Sequence, residues 1–295
     1  MKRLVKTPSK YIGAKTGLKW FFQRFYIFVI LAVIYIPLIV IILLSFNGQT
    51  TRGNVIMNFS VPTAINYLEL VKNNEFLNAL VNSLIISVVV VPISVLLATI
   101  TCFGIWNAKE KYSTTIVGMS KVSVAIPEPI TAISLALLFT TTFLPLGLDF
   151  GIVTVILAHI TFCTPYAIVS IFPKMQKMNR NLIWASYDLG YSRAKTFFKI
   201  VIPYLAPALL SASAITLAMS LDDFIITSLI NGSSQTISTA IYSTRKGIKA
   251  WVVTFGAILV LLTFIVVAVT AIVKVRKTKK TKVKKERGIY EKLAK

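Results

Sequence analysis

The chain has 295 residues, 56% of them hydrophobic and only 14% charged, with a mean hydropathy of +0.76. So little charge cannot cover the surface of a water-soluble domain of this length, which excludes the soluble globular classes. The net charge is +22, from 32 Lys and Arg against 10 Asp and Glu, so the cations must be concentrated outside the apolar runs.

Residues 1–24 form a basic tail with seven Lys and Arg. An apolar run of about 20 residues has the length to cross a hydrocarbon core. Six such runs are read: Phe25–Phe46, Leu77–Ile105, Thr114–Leu144, Leu148–Phe172, Tyr204–Ile230 and Trp251–Val273. The first is longer than a signal-peptide core and no small-x-small cleavage pattern follows it, so it is expected to stay as a span. Asn47–Phe76 is long and mixed, with Glu69, Lys72 and Glu75, and is a candidate for an interfacial helix. Leu144–Gly147 reads as a tight turn. Asn231–Ala250 is rich in Gly, Ser and Thr and is a candidate surface for a docking partner. The expected organisation is a tail over 1–24, a permease domain over 25–275 with a connecting loop at 173–203, and a basic tail over 276–295. The fold class is all-α, with six transmembrane helices.

The cations choose the orientation. The N-terminal tail, the Asn107–Ser113 loop, the Pro173–Pro203 loop and the region from Lys274 to Lys295 together hold 26 of the 32 Lys and Arg. The other side holds Arg52, Lys72, Arg245, Lys246 and Lys249, while Lys121 lies within the third run. Cationic loops resist translocation, so both termini are expected to be cytoplasmic. The Lys-rich C-terminal stretch is read as lying along anionic headgroups rather than binding nucleic acid. Cys102 and Cys163 lie inside apolar runs and read as small hydrophobes.

No G-x-x-x-x-G-K-[ST] phosphate loop and no nucleophile–base spacing occurs, so no catalytic residues, cofactor or metal are expected in this chain. His159, the only histidine, falls within the fourth run; it reads as a hydrogen-bond donor to a neighbouring helix or as a proton relay. Three acids also fall within apolar runs: Glu128, Asp222 and Asp223. A carboxylate at mid-membrane costs about 2.5–3.5 kcal/mol on insertion scales, so it persists where water, a cation or a protein partner meets it. Glu128 lies between Pro127 and Pro129, where the helix is expected to be kinked or irregular and to line a cavity.

Asp222 and Asp223 sit about 100° apart on a helix. Ser213, Thr216, Ser220, Asp223 and Thr227 follow three-four spacing and make a polar stripe, whereas the neighbours of Asp222 on its own face are apolar. Asp223 is therefore expected to face a pathway and Asp222 another helix or a partner subunit. A hydrogen-bond network between helices is the structural alternative for the pair. Three acids with few cations in the spans suggest a cationic cargo, with Tyr166 and Phe224 as aromatic candidates. The substrate pathway is thus assigned to Glu128, Asp223, Asp222, Ser220, Thr227 and Tyr166.

The loop from Trp184 to Pro203, WASYDLGYSRAKTFFKIVIP, resembles the cytoplasmic coupling loop of bacterial ABC-importer permeases. From about Ile126 to Gly232 the resemblance narrows to PotC-type permease subunits of spermidine/putrescine importers. It is carried by IPEPITAISLALLF (126–139), HITFCTPYAIV (159–169), DLG (188–190), IP (202–203) and SLDDFIITSLING (220–232); SFNG (45–48) adds to it. The resemblance implies a type I (MetI-like) permease fold in the bacterial plasma membrane. It implies a second permease subunit (PotB-like), an ATPase dimer (PotA-like) that holds ATP and Mg, and an extracytoplasmic polyamine-binding protein (PotD-like). It places a coupling helix near Leu182–Tyr191, with Trp184, Ala185, Ser186, Asp188, Leu189 and Gly190 as the ATPase-coupling residues. The family loop usually starts Glu-Ala-Ala; Trp184, Ala185 and Ser186 stand there instead, so the glutamate's salt bridge to the ATPase is lost. Alternatives are a permease for another small solute, or a gradient-driven transporter or channel for organic cations.

Overall fold

The computed structural model describes residues 15–59, 62–244 and 247–293, with side chains over 25–59, 62–244 and 247–273. The basic residues of the tail before position 15, and Arg245 and Lys246, lie outside the described residues. The helices are, in order, α1 (Lys15–Ser45), α2 (Ile65–Leu70), α3 (Asn74–Asn107), α4 (Glu110–Ala125), α5 (Glu128–Thr142), α6 (Ile152–Gln176), α7 (Asn181–Asp188), α8 (Arg193–Thr196), α9 (Ile202–Asp222), α10 (Ile225–Ile230), α11 (Ile237–Ser243) and α12 (Ala250–Leu293). A 3₁₀ turn at Leu144–Leu146 follows α5, and a π-helical turn at Phe197–Val201 leads into α9. Among the described residues, six segments are long and apolar enough to cross a membrane: Phe25–Ser45, Asn74–Asn107, Glu128–Leu146, Ile152–Gln176, Arg193–Asp222 and Ala250–Val273.

The chain divides into two compact units, residues 1–71 with 247–295 and residues 72–246. In the first, α1 packs against α12, and α2 also meets α12. Gly256 permits the approach of α1: a Cβ there would lie 2.8 Å from Cδ1 of Ile41. Tyr35 and Phe264 extend the seam with ring centroids 5.8 Å apart. The end of α1 is tied down by Asn66, whose amide donates to the carbonyls of Ser45 (3.0 Å) and Asn47 (2.7 Å). α2 lies within the mixed Asn47–Phe76 segment, where a short helix was expected.

In the second unit α3, α6 and α9 pack on one another. Ala98, Cys102, Ala167 and Ala212 sit fully buried where these helices meet. Small residues let helix backbones approach closely, which is how spans gain dispersion contacts when lipid offers no hydrophobic advantage. Both cysteines are buried free thiols. A second cluster joins Ile86 and Val90 of α3 to Phe139 of α5, Ala158 and Cys163 of α6, and Ile226 and Ile230 of α10. Gly232 just beyond α10 has φ +55°, and a Cβ there would lie 2.2 Å from the carbonyl oxygen of Phe150, so only glycine fits.

Two expected spans are corrected. The third, Thr114–Leu144, is two helices separated by extended backbone at Ile126 (ψ 132°) and Pro127 (ψ 133°). Pro127 disfavours helical geometry at Ile126, while Pro129 sits in the first turn of α5, where its missing N–H goes unneeded. The irregularity expected around Glu128 is therefore a full break, with Glu128 the first residue of α5. The fifth, Tyr204–Ile230, is also broken: α9 stops at Asp222 and α10 starts at Ile225.

Candidate functional site

The second break is built from side chains. Asp223 leaves the helix (φ −60°, ψ 120°) and turns its carboxylate onto the start of α10. There it accepts from the backbone N–H of Ile226 (3.3 Å) and Thr227 (2.8 Å) and from Oγ1 of Thr227 (2.7 Å). A carboxylate at a helix start satisfies amides that have no partner within the helix. His159 of α6 lies alongside, with Nδ1 3.0 Å from Oγ of Ser220, Nε2 3.0 Å from Oγ1 of Thr227, and Nε2 3.4 Å from Oδ2 of Asp223. Ser220 also lies 3.5 Å from Oγ of Ser87 on α3, and Ser238 of α11 donates to the carbonyl of Asp223 at 2.5 Å. Five helices, α3, α6, α9, α10 and α11, thus converge on one buried polar knot.

The polar stripe holds across the break, and it makes the hydrogen-bond network between helices that was the alternative for the aspartates, with Asp223 turned inward onto it. Asp223 is 6% exposed and Ser220 6%, and Thr227 is fully buried, whereas Asp222 is exposed. Asp223, Ser220 and Thr227 face one another and His159. Sequence reasoning left His159, Ser87 and Ser238 out of the site. The available signal was that His159 and the Ser220–Thr227 run are the two polar interruptions of adjacent spans, and each needs a partner.

Glu128 and Tyr166 come together on the same unit, both lining a pocket of about 140 Å³ whose wall also includes Thr131, Thr161, Met219 and Ile226. The Glu128 carboxylate lies within electrostatic reach of Asp223 and Asp222; Asp222 is exposed and stands outside the pocket wall. An acid beside a phenol ring can attract a cation by charge and by the ring's quadrupole. Phe224 is turned away, stacked on Tyr242 of α11 with centroids 3.8 Å apart. Among the described residues no three His, Cys, Asp or Glu side chains gather as a metal site.

The segment after α6 has a different character. α7 ends in a reversal at Gly190, whose φ is +78°. The N–H of Tyr191 bonds the carbonyl of Ser186 (3.0 Å) and the N–H of Gly190 bonds that of Tyr187 (2.8 Å). This is the Schellman closure, which places a residue in the left-handed region and so favours glycine. Ser192 then caps α8 by accepting from the N–H of Lys195. The turn leaves Trp184 63% and Leu189 79% exposed, with Ala185 and Asp188 also open to solvent. Ser186 differs from the rest of the expected docking residues. It is buried, and its hydroxyl bonds the Ile183 carbonyl and Oγ1 of Thr196 at 2.8 Å each, tying α7 to the chain beyond the turn. Arg180 anchors the other end of α7, donating to the carbonyl of Trp106 at the end of α3 (3.0 Å) and lying over its ring. α7 is thus a short, firmly braced helix with large apolar side chains that remain exposed among the described residues.

Comparison with known proteins places this architecture. Residues 59–279 match the model of the family described as binding-protein-dependent transport system inner membrane component. A spermidine/putrescine transport system permease protein PotC homolog of Mycoplasma genitalium is 44% identical over 255 residues, covering 84% of this chain and 89% of that protein. The spermidine/putrescine transport system permease protein PotC of Escherichia coli K12 is 28% identical over 240 residues, covering 81% and 88%. Among solved structures, that of a bacterial ABC transporter involved in the import of the acidic polysaccharide alginate superposes with a TM-score of 0.63 over 90% of this chain and 99% of the matched one. At 12% identity that likeness speaks for the fold alone. By the family match, which spans both helix breaks and the braced segment between α6 and α9, this chain belongs to the binding-protein-dependent transport system inner membrane components, the multi-pass permeases of ABC importers.

Proposed function

We propose that this chain forms half of the translocation pathway of an ATP-driven polyamine importer, with spermidine or putrescine as cargo. The observation that carries the reading is the Glu128 carboxylate beside Tyr166 on one pocket, with the exposed Asp222 within electrostatic reach of Glu128, in a chain 44% identical to a spermidine/putrescine permease homolog. Polyamines present several ammonium groups on a flexible chain, and two separated acids with an aromatic wall match that chemistry. The alginate transporter shares the fold with an acidic cargo, so cargo is decided by side chains and not by architecture.

In this reading both termini and α7 are cytoplasmic, which the distribution of Lys and Arg supports. The exposed face of α7 meets one subunit of a PotA-like ATPase dimer, which supplies the ATP and Mg chemistry. A PotB-like permease completes the pathway, and a PotD-like extracytoplasmic protein delivers the polyamine to the outer loops. The chain performs no chemistry itself; it converts motion at α7 into access at Glu128 and Asp222.

Neutralising one acid removes one charge-assisted contact. In the assembled transporter, Glu128→Gln and Asp222→Asn should each lower spermidine uptake about tenfold at limiting substrate, equivalent to about 1.4 kcal/mol. The amount of chain in the membrane should not change. Uptake curves identical to wild type for both variants would remove these acids from the pathway.

A further inference from the structure

We infer that His159 is a positioning residue for transport: it clamps the break between α9 and α10 and thereby fixes the direction in which the exposed Asp222, at the end of α9, faces. The inference rests on the pathway reading above. It goes beyond that reading by assigning a role to a fully buried side chain that touches no cargo.

The argument begins with protons. The Thr227 hydroxyl has one hydrogen, and its 2.7 Å contact to the Asp223 carboxylate uses it, because an ionised carboxylate only accepts. Toward His159 the same oxygen can therefore only accept. Nε2, 3.0 Å away, must carry a hydrogen, an assignment made from the network. That N–H also leans toward Oδ2 of Asp223 at 3.4 Å. On the other side of the ring, Nδ1 meets the Ser220 hydroxyl at 3.0 Å. His159 thus grips α9 through Ser220 and α10 through Thr227, one ring nitrogen for each helix.

Between those two grips lie Asp222 and Asp223. No proline or glycine occurs from Ser220 to Thr227, so nothing in the local sequence compels a break there. An unbroken helix would make its own backbone hydrogen bonds through this stretch. The break persists because the Asp223 side chain and His159 offer the freed amides and hydroxyls better-defined partners. Once Asp223 is turned inward, its predecessor is left on the open side. Without the clamp the α9–α10 junction can rewind, and Asp222 then rotates out of that position.

The test is a double-mutant cycle on the assembled importer, reading the KM and maximal rate of spermidine uptake. His159→Leu should raise KM about tenfold with a smaller change in maximal rate, and should add less than about twofold to the KM of Asp222→Asn. Effects that multiply would show that His159 does not act through Asp222 and would overturn the assignment. So would an unchanged KM in His159→Leu. Should the leucine variant fail to reach the membrane, two amides decide the matter. His159→Gln places its amide near the Nε2 position and should restore a KM close to wild type; His159→Asn reaches only the Nδ1 side and should stay defective. The reverse ranking overturns the inference. A wild-type KM in Asp222→Asn would sink the pathway reading and this inference with it. Independent effects of the two residues would sink only the inference.

Discussion

Asp223→Ala should cost the chain its folded state rather than its selectivity. The carboxylate accepts from two backbone amides and a hydroxyl in a site 6% exposed, with His159 alongside. Each donor stranded without water costs about 1–3 kcal/mol, and two backbone amides are stranded here, so the expected loss is about 2–6 kcal/mol. For a membrane chain this appears as a lower melting temperature of the detergent-purified protein and reduced abundance in the membrane. Asp222→Asn, one residue earlier, should leave both unchanged. Adjacent acids thus separate by role: one holds the break, the other meets cargo. Wild-type melting and abundance in Asp223→Ala, combined with lost uptake, would return Asp223 to the pathway.

Gly190→Val should uncouple ATP hydrolysis from uptake. Gly190 has open space where a Cβ would go, so the penalty is conformational and not a clash. At φ +78° an L-residue is strained by roughly 1–2 kcal/mol, and a β-branched side chain is the worst case. The Schellman closure at Tyr187, Ser186 and Tyr191 would open, and Leu189 and Asp188 would lose their presentation. Ser186 and Arg180 would still anchor the rest of α7, so the subunit should assemble. The expected result is an importer that hydrolyses ATP but accumulates little polyamine. Gly190→Asn, which tolerates the left-handed region, should retain most transport. Normal uptake with normal cargo-stimulated hydrolysis in the valine variant would count against α7 as the coupling element.

The spans were legible in the sequence because length and hydropathy report them directly, and the bilayer accepts little else. Pro127 and Pro129 made the first break legible as an irregularity, though not as two helices with Glu128 at the start of the second. The break at Asp223 was not legible. Ser-Leu-Asp-Asp-Phe-Ile-Ile-Thr has no breaker, and its decisive partner, His159, lies 61 residues before Ser220. Helical spacing grouped Asp223 with Ser220 and Thr227 but did not show that the group turns onto His159. Gly190 was readable as a reversal because a glycine after a helical turn has one common use. The inward turn of Ser186 was not, since its partner Thr196 lies beyond that reversal.

The replacement of the usual coupling-loop glutamate by Trp184 acquires a physical sense in the structure. Trp184 is 63% exposed next to Leu189 at 79%. The face offered by α7 is apolar and aromatic, with Asp188 its acid. Docking through such a face depends more on buried area than on a salt bridge, and large aromatic side chains are the usual anchors of such contacts.

The most direct measurement reconstitutes this chain in liposomes with its partner permease, the ATPase and the binding protein, and follows radiolabelled spermidine. The account predicts accumulation only when ATP and all four components are present, with a crosslink from a cysteine at position 189 to the ATPase. Accumulation by this chain alone, or ATP-driven accumulation with no ATPase contact at that position, would contradict it.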